Sequence, residues 1–563
     1  MIQRLSDELE IIINKENIIY TIKGCISLTM ALWISMSLNL DKPMWAMISA
    51  LFLQTRPETG FIIEKALLLI AVSFIGVFVG FLIVTFFLPF PVLALMALCS
   101  FISISIFFSA NMSHPNFIYA LALANVTCII IVFYSIANPM LTTEETIFHT
   151  GFSRVTEISI GCICSCLVNY YILPVKVQKT LKNHSNKVLE LTIYYVQEMF
   201  LTQDFTNNIK YNSKVEAILN NLITLDNDLS AAKYESLDKG NYLIFSNTVV
   251  ELIEAVHSLR KYLAKTENNS TLQNHLKTIA NNLNNIDNST SNNQNIISDD
   301  HKLNKVISKI ANLLASYKSL EAKSDQNKIV YSFITYTNPI VTLIAIARTV
   351  SLLLIMYFVW VSTNGNSSLL MMIILPCVLS QLFISVPNPT ETVKKNIIGI
   401  IISIPISILI TLNLLSQAVG YFELLILILL TALLIPIAAL NVPKLQMYSL
   451  GFYLGFVFMV QPSNHMSFEI TSSFTIAMSS IVGCLGLWLA FKLFPLTPHT
   501  LSRKVAIRSI INDVHKFQRK QISKECYQAT LIKKILSVYR NRKEDSSSEK
   551  DIEFALQSLA KAN

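Results

Sequence analysis

The chain has 563 residues, of which 52% are hydrophobic and only 14% are charged, whereas a soluble domain has roughly 25% charged residues. The net charge of +8 does not indicate nucleic-acid binding, because the basic excess lies mostly in 497–563, with 14 Lys/Arg against 7 Asp/Glu. The composition therefore argues against an ordinary soluble protein and predicts an all-α polytopic membrane protein.

Six apolar segments precede residue 176. All but one are long enough to cross a hydrocarbon core of about 30 Å as helices, and continuous apolar runs favour helices over a closed barrel. The segments are 18–40, 43–54 (the short one), 61–88, 91–112, 117–138 and 154–174. We therefore assign 1–175 to a first transmembrane half of six helices.

Residues 176–333 differ from the segments before and after them. They contain 18 Lys/Arg and 16 Asp/Glu, no proline, and a single glycine, Gly240. A stretch without turn residues favours long helices, so we predict a cytoplasmic helical domain. Within it, the asparagine-rich segment 281–295 is predicted to be a flexible connector.

Six more apolar segments follow, at 340–361, 367–386, 396–416, 421–440, 446–461 and 470–494. They define a second transmembrane half, 334–496, followed by a predicted cytoplasmic helical tail, 497–563. Lys and Arg gather at alternate connections, which indicates that both termini and the middle domain are cytoplasmic. In this topology the outside loops contain Lys42 and Arg154.

The two halves share a pattern of polar residues. Each begins with a cation inside an apolar run, continues with a short span ending in glutamine, and has a lysine at the start of its third span. The paired positions are Lys23 and Arg348, Gln54 and Gln381, and Lys65 and Lys394. With six spans in each half, this pattern predicts about 12 transmembrane helices in two parallel six-helix repeats.

These paired positions are our candidate substrate-binding residues. A charge at membrane depth is costly and usually serves a pathway or a functional pair, and arginine can hold a carboxylate through two hydrogen bonds. For Lys23 the alternative is a side chain that snorkels to the interface. Arg348 lies deeper in its span, which favours a functional role.

Two residues near the short first-half span are further candidates. Trp45 could form an aromatic wall for a substrate ring, or it could be an interfacial anchor. Arg56 lies in a helix break and could face a cavity, or it could belong to an ordinary basic loop. The acidic residues considered for proton coupling, Glu64, Glu157, Glu423 and Glu469, are interpreted as solvated carboxylates near span ends.

Motifs for common chemistries are absent from the sequence. It has no G-x-x-x-x-G-K-[ST], no H-E-x-x-H, no G-x-S-x-G and no C-x-x-C, which argues against a P-loop ATPase, a zinc protease and a serine hydrolase. We therefore expect no enzyme activity, no catalytic residues, no metal site and no cofactor.

One first-half pattern resembles a known family. It comprises Lys23, then Asp41-x-Pro43-x-Trp45-Ala46-x-Ile48-Ser49, Pro57-x-x-Gly60, Lys65-Ala66 and Gly76-x-x-x-Gly80. This arrangement is similar to the fusaric acid resistance family, which includes aromatic acid exporters and is related to plant aluminium-activated malate transporters. The family often has an arginine where this chain has Leu69. The second half also lacks the Pro-x-Trp element and has Asn366-Ser-Ser368 instead.

The resemblance implies efflux of aromatic carboxylates or other organic anions across a bacterial inner membrane. It also implies a periplasmic adaptor (membrane fusion) protein as a possible partner, and a homo-oligomer is compatible with it. Three functional hypotheses follow: an exporter driven by an ion gradient, a passive organic-anion channel, and a membrane-anchored scaffold or sensor acting through its cytoplasmic domain.

Overall fold

The computed structural model describes residues 14–112, 114–202, 208–235, 239–264, 276–280, 301–321, 336, 338–386, 388–417, 421–466, 468–494, 499–541 and 546–560. In these residues the protein is helical apart from short connections and one isolated β-bridge between Glu58 and Val175. The predicted all-α class is therefore confirmed. The predicted connector at 281–295 lies outside the described residues.

Six helices lie in the described residues before residue 176. They are α1 (Lys15–Ser37), α2 (Met44–Leu53), α3 (Thr59–Phe87), α4 (Pro91–Met112), α5 (Pro115–Ala137) and α6 (Glu144–Tyr171). Within its described residues, the middle segment (176–333) contains four long helices, α7 (Val177–Thr202), α8 (Asn208–Asp228), α9 (Gly240–Leu263) and α10 (His301–Lys318).

The second apolar set also has six helices. They are α11 (Pro339–Ser362), α12 (Met371–Leu382), α13 (Pro389–Leu409), α14 (Phe422–Leu440), α15 (Gln446–Val460) and α16 (Ile470–Leu493). A π-helical turn, Ile410–Leu415, follows α13 directly. The tail contains α17 (His499–Gln518), α18 (Lys524–Arg540) and α19 (Ser546–Ala560).

Nine helices of the described chain are long and apolar enough to cross a membrane, so the protein is a multi-pass membrane protein. The other three apolar helices, α2, α12 and α15, have only 10, 12 and 15 residues. At about 1.5 Å per residue, each is shorter than a hydrocarbon core of about 30 Å. The prediction of about 12 transmembrane helices is therefore not confirmed, because nine of the described helices are long enough.

The short helices occupy the interior of the membrane unit. All ten residues of α2 are buried, as are most residues of α12 and α15. A helix that is apolar on every side belongs inside a bundle, since it has no polar face to present to water. Among the long helices α5 is the most buried, with 83% of its apolar window inside, and it packs against α12.

Two glycines allow long helices to approach short ones closely. A Cβ atom on Gly161 of α6 would lie 2.3 Å from the Ala46 carbonyl oxygen of α2. A Cβ atom on Gly483 of α16 would lie 2.7 Å from the Met372 carbonyl oxygen of α12. Both distances are below van der Waals contact, so a side chain at either glycine would displace the short helix.

The start of α6 corrects the sequence-based boundary. We expected this span to begin at residue 154, with Arg154 in an outside loop, but α6 begins at Glu144. The hydroxyl of Thr143 accepts a hydrogen bond from the Thr146 backbone N–H, and the two residues form a capping box, which favours a helix start there. Arg154 therefore lies inside the helix and is only 3% exposed.

The chain divides into two units, 1–175 with 341–496 and 176–340 with 497–563. In the second unit the tail helices pack on the middle segment. The Tyr539 hydroxyl donates a hydrogen bond to Asn212 Oδ1 (3.3 Å), and Lys261 Nζ lies 3.0 Å from Glu553 Oε1. The amphipathic helices of this unit enclose a core that includes Phe200 and Phe245, both with no exposed surface.

Candidate functional site

A cavity of about 260 Å³ lies at the carboxyl end of α2. We call it the basic cavity, because Arg56 and Lys65 are in its wall together with aromatic and amide side chains. Its lining includes Phe52, Thr55, Arg56, Phe61, Lys65, Asn116, Tyr119 and Phe383. The sequence-predicted residues Arg56 and Lys65 are thus brought to one cavity.

Lys65 is held at this cavity by the end of α2. Its ammonium donates hydrogen bonds to the Phe52 carbonyl oxygen (2.6 Å) and to Thr55 Oγ1 (3.1 Å). The last carbonyls of a helix have no partner in the helix and attract a cation. The ammonium also lies 4.0 Å from the centre of the Tyr119 ring, where the ring face attracts positive charge.

The positive charge of Lys65 is not neutralised by a carboxylate. No ion pair joins its ammonium to an Asp or Glu in the described part of the chain, and the lysine side chain is 7% exposed. Arg56 lies beside it with its guanidinium 4.7 Å from the Phe61 ring centre. Two cations around one partly apolar cavity make a suitable environment for an anion.

A second, smaller cavity lies further along α2 and has a volume of about 40 Å³. We call it the apolar cavity, because Trp45, Ser49 and Tyr119 are the only lining residues with a polar side-chain atom. The walls come from α2, α5, α12 and α15: Trp45, Ile48, Ser49, Phe52, Tyr119, Ala122, Leu123, Val126, Ile374, Leu375, Val378, Leu379, Leu454 and Phe458. The three short helices therefore surround this cavity together with the most buried long helix.

Phe52 and Tyr119 line both cavities. Their ring centres are 5.2 Å apart with the ring planes tilted by 41°, within the range of favourable aromatic pairs. A cavity of about 150 Å³ is known to hold a benzene molecule. By this measure the basic cavity is large enough for a small aromatic ring, and the apolar cavity, at about 40 Å³, is closed to one.

Trp45, another predicted site residue, lies at the opposite end of the apolar cavity. Its ring packs edge-on against Phe458, with centres 5.5 Å apart, and carries the Arg154 guanidinium on its face, 3.9 Å from the ring centre. Trp45 and Phe52 are seven residues apart on α2, which is about 10 Å along a helix. One short helix thus has cations near both of its ends, Lys65 and Arg154.

The predicted glutamines connect helices rather than line either cavity. Gln54 donates a hydrogen bond from Nε2 to the Lys23 carbonyl oxygen (3.2 Å). Gln381 accepts one from Asn125 Nδ2 through Oε1 (2.7 Å). Both glutamines are 1% exposed, and Lys23 is 2% exposed, with no hydrogen-bond partner for its ammonium in the part of the chain that the structure describes. The three residues lie inside the membrane unit, outside the lining of the two cavities.

The predicted second-half cations are in different surroundings. Arg348 has no exposed surface, donates a hydrogen bond from Nη2 to the Ser380 carbonyl oxygen (3.2 Å), and lies 3.9 Å from the Phe491 ring centre. Lys394 is exposed, with its ammonium 5.5 Å from the Trp488 ring centre. Neither residue lines the basic cavity or the apolar cavity.

Two of the four acidic residues are not solvated as we expected. Glu157 is fully buried and Glu64 is 8% exposed, whereas Glu423 and Glu469 are exposed. Glu64 accepts a hydrogen bond from Asn116 Nδ2 (2.7 Å). The interpretation as solvated carboxylates is therefore wrong for Glu64 and Glu157, because neighbouring helices cover both side chains.

Sequence reasoning did not identify Tyr119 or the buried pair of Arg154 and Glu157. Tyr119 lies on α5 and packs against Phe52 of α2. A contact between two helices so far apart in sequence is not visible in residue spacing. For the pair a signal did exist, since an arginine and a glutamate three residues apart share one face of a helix. In the described part of the chain, no group of three or more His, Cys, Asp or Glu could hold a metal ion.

A sequence model of the fusaric acid resistance protein family matches residues 17–560. The chain belongs to this family. Two relatives are named "p-hydroxybenzoic acid efflux pump subunit AaeB", one from Yersinia pestis (strain Pestoides F) and one from Yersinia pseudotuberculosis serotype O:1b (strain IP 31758). Each is 20% identical over 503 residues, covering 83% of this chain and 74% of the relative. The resemblance to the fusaric acid resistance family that the first-half motif suggested is thus confirmed. The family model matches both sets of apolar helices, the middle segment and most of the tail.

Proposed function

We propose that this protein is a bacterial inner-membrane transporter that exports organic anions, above all aromatic carboxylates. The observation that carries the proposal is the basic cavity, where Lys65 and Arg56 lie beside the aromatic walls of Phe52 and Tyr119. Cations of this kind bind a carboxylate through charge-assisted hydrogen bonds. Aromatic side chains bind the face or edge of a substrate ring.

Two further facts support this substrate class. The relatives carry the name of a p-hydroxybenzoic acid efflux pump subunit, and that molecule combines one ring with one carboxyl group. The apolar cavity continues from the basic cavity along α2 and ends at Trp45, next to a further cation, Arg154. An amphipathic anion would thus find cations before and after an apolar passage.

In this proposal the structure corresponds to a closed state. The apolar cavity of about 40 Å³ cannot accept a ring, so Phe52 and Tyr119 must separate before a substrate passes. The sequence has no P-loop, so an ion gradient rather than ATP hydrolysis within this chain drives export. The protein acts as a carrier and not as an enzyme.

The membrane halves act as two parallel repeats in this proposal. The contact of Gly161 with Ala46 in the first half has a counterpart in that of Gly483 with Met372 in the second, and in both cases the sixth helix of a half meets its short second helix. The basic residues at alternate connections place both termini, 176–333 and 497–563 in the cytoplasm. Since the relatives are named as pump subunits, a periplasmic adaptor protein is a plausible partner, and a homo-oligomer is compatible with this arrangement.

Transport of labelled p-hydroxybenzoate by purified protein in liposomes tests the function. We expect accumulation against a concentration gradient when a proton gradient is imposed, and its collapse when an uncoupler is added. Flow only down the anion gradient would instead support a passive channel. Lack of any saturable transport of aromatic acids would reject the proposal.

A pair of matched variants tests the site. Lys65→Met should raise the KM roughly tenfold or more, because a hydrogen bond to a charged group contributes about 1.5–3 kcal/mol. Lys394→Met removes an exposed lysine that lines neither cavity and should leave the KM unchanged. Equal KM values for the two variants would exclude Lys65 from the binding site.

Reporter fusions test the topology. A green fluorescent protein fused after Ala264 or after Arg540 should fluoresce, and alkaline phosphatase fused at the same positions should be inactive. Active phosphatase at either position would overturn the proposed orientation.

A further inference from the structure

Arg154 and Glu157 form an incompletely bonded ion pair inside the membrane unit. Their side chains are 3% and 1% exposed, and Arg154 Nη1 lies 3.5 Å from Glu157 Oε2. Among the described residues, none of the three guanidinium nitrogens has a hydrogen-bond partner, and neither has Glu157 Oε2. An arginine offers five N–H donors, and leaving buried donors unused is costly. The guanidinium is thus available to a second acceptor.

The other oxygen of this carboxylate is fixed. Glu157 Oε1 accepts a hydrogen bond from the Lys42 backbone N–H (2.8 Å). Glu157 can therefore stay in place through Oε1 while its contact with Arg154 through Oε2 is broken. The arrangement separates an anchoring oxygen from an exchangeable one.

Trp45 places this pair beside the proposed pathway. The tryptophan lines the apolar cavity, and the Arg154 guanidinium lies on its ring face. A substrate carboxylate that leaves the apolar cavity past Trp45 would therefore meet the unused donors of Arg154. A planar guanidinium can bind such a carboxylate through two parallel hydrogen bonds.

We propose that Arg154 is a second anion site at which the substrate carboxylate replaces Glu157, and that Glu157 then binds one proton. This inference rests on the proposed function. The exchange balances: the Arg154–Glu157 pair, one substrate anion and one proton give the Arg154–substrate pair and a neutral Glu157 carboxyl group. The proton binds at Oε2, and no covalent bond of the substrate changes. After the substrate has left on the outer side, Glu157 releases the proton toward the cytoplasm and pairs with Arg154 again, so that the anion and the proton cross in opposite directions, as export driven by a proton gradient requires.

The reason for proton uptake is the cost of a second buried carboxylate. The Arg154 guanidinium neutralises one carboxylate, while the charges of Lys42 and Asp41 nearby offset each other. A second carboxylate beside the first therefore favours protonation of one of them. The site therefore keeps the same net charge before and after exchange. Anion binding at Arg154 is in this way linked to proton binding at Glu157.

Besides Arg154, two charged side chains of the described residues, Lys42 and Asp41, act electrostatically on the Glu157 carboxylate. Lys42 and Asp41 precede α2, and Asp41 Oδ2 lies 3.3 Å from His149 Nδ1 of α6. The charged side chains of α1 and α3, such as Lys23 and Lys65, belong to the region around the carboxyl end of α2. His149 is the imidazole that pairs with Asp41 beside this site, and its variant provides the control.

Calorimetry and pH-dye measurements on the purified full-length protein test the exchange, with p-hydroxybenzoate as the probe. We expect the parent to take up about one proton for each bound anion near neutral pH. Glu157→Gln should bind the anion without proton uptake, and His149→Gln should behave as the parent. Arg154→Gln should weaken binding by about tenfold or more.

Each failure has a distinct meaning. Binding by the parent without proton uptake overturns the exchange while leaving the proposed function intact, and this result does not depend on whether a variant folds. Proton uptake that persists in Glu157→Gln, or parent-like affinity in a folded Arg154→Gln protein, also overturns it. A parent protein that neither binds nor transports the probe rejects the proposed function and this inference with it.

Discussion

The ring centres of Phe52 and Tyr119 lie 5.2 Å apart, and these two side chains line both the basic cavity and the apolar cavity. The pair is therefore the barrier between a volume that can hold an aromatic ring and one that cannot. Because the two residues belong to different helices, a small movement of α2 against α5 would change the opening.

Removal of one ring should make this barrier leak. Phe52→Ala joins the two cavities, so we expect faster flow of p-hydroxybenzoate down its gradient in liposomes and weaker accumulation against it. Phe61→Ala is the control, because Phe61 lines the basic cavity but not the apolar one. An unchanged passive flow in folded Phe52→Ala protein would show that the barrier lies elsewhere.

Gly161→Ala should displace α2. The added methyl group would lie 2.3 Å from the Ala46 carbonyl oxygen, and backbone atoms cannot move aside as side chains do. We expect a lower melting temperature in detergent and reduced transport. Gly80→Ala is the matched control, because the atoms nearest to its methyl group would be side-chain atoms of Ile131, at 3.2 Å or more. Equal melting temperatures for both variants and the parent would show that the close approach of α6 to α2 at Gly161 does not contribute to stability.

Arg348→Met should act through α12 rather than through the substrate. The guanidinium donates a hydrogen bond to the Ser380 carbonyl oxygen and covers the Phe491 ring, so its loss removes a buried hydrogen bond from a charged donor, at a cost of about 1.5–3 kcal/mol. We expect a lower melting temperature and a lower kcat with little change in KM. A raised KM at an unchanged melting temperature would instead assign Arg348 to direct anion binding, the role expected from the sequence.

The second unit should lose stability in mild acid. Burial lowers the pKa of His257 from 6.5 to about 4, so the folded protein favours the neutral imidazole. The stabilisation of the folded state by this neutral imidazole is complete above about pH 6.5 and is lost as the pH falls toward 4. The total loss of folding free energy is about 3 kcal/mol. Hydrogen exchange of α9 amides should therefore accelerate between these pH values. His257→Gln should remove much of this dependence, whereas His301→Gln, at an exposed histidine, should retain it.

The apolar helices could be located from sequence where hydropathy changes abruptly. The segment predicted at 91–112 corresponds to α4, Pro91–Met112, because proline residues and polar connections limit the run. The start of α6 was misplaced by ten residues because Arg154, Glu157 and the acidic first turn lower the hydropathy of a helix that neighbouring helices bury. Hydropathy measures average polarity, and it cannot detect a polar pair enclosed by the fold.

The candidate site was only partly predictable for a related reason. Lys65 and Arg56 carry charge beside a helix break, which a sequence displays directly. Tyr119, which contacts Lys65, and Phe52, which separates the two cavities, depend on the packing of α5 against the ten-residue helix α2. Such contacts between distant segments are set by the shapes of side chains across the bundle rather than by periodicity within one helix.

The shortness of α2 has an electrical consequence. A voltage across a membrane falls mainly over its least hydrated layer, and ten residues of helix span only about 15 Å of a core of about 30 Å. If water reaches the basic cavity from one side and the Arg154 region from the other, the field is concentrated along this one helix. An elementary charge that crosses the full potential changes energy by about 2.3 kcal/mol per 100 mV. In the proposed orientation, an inside-negative voltage would therefore push a carboxylate outward most strongly between Phe52 and Trp45.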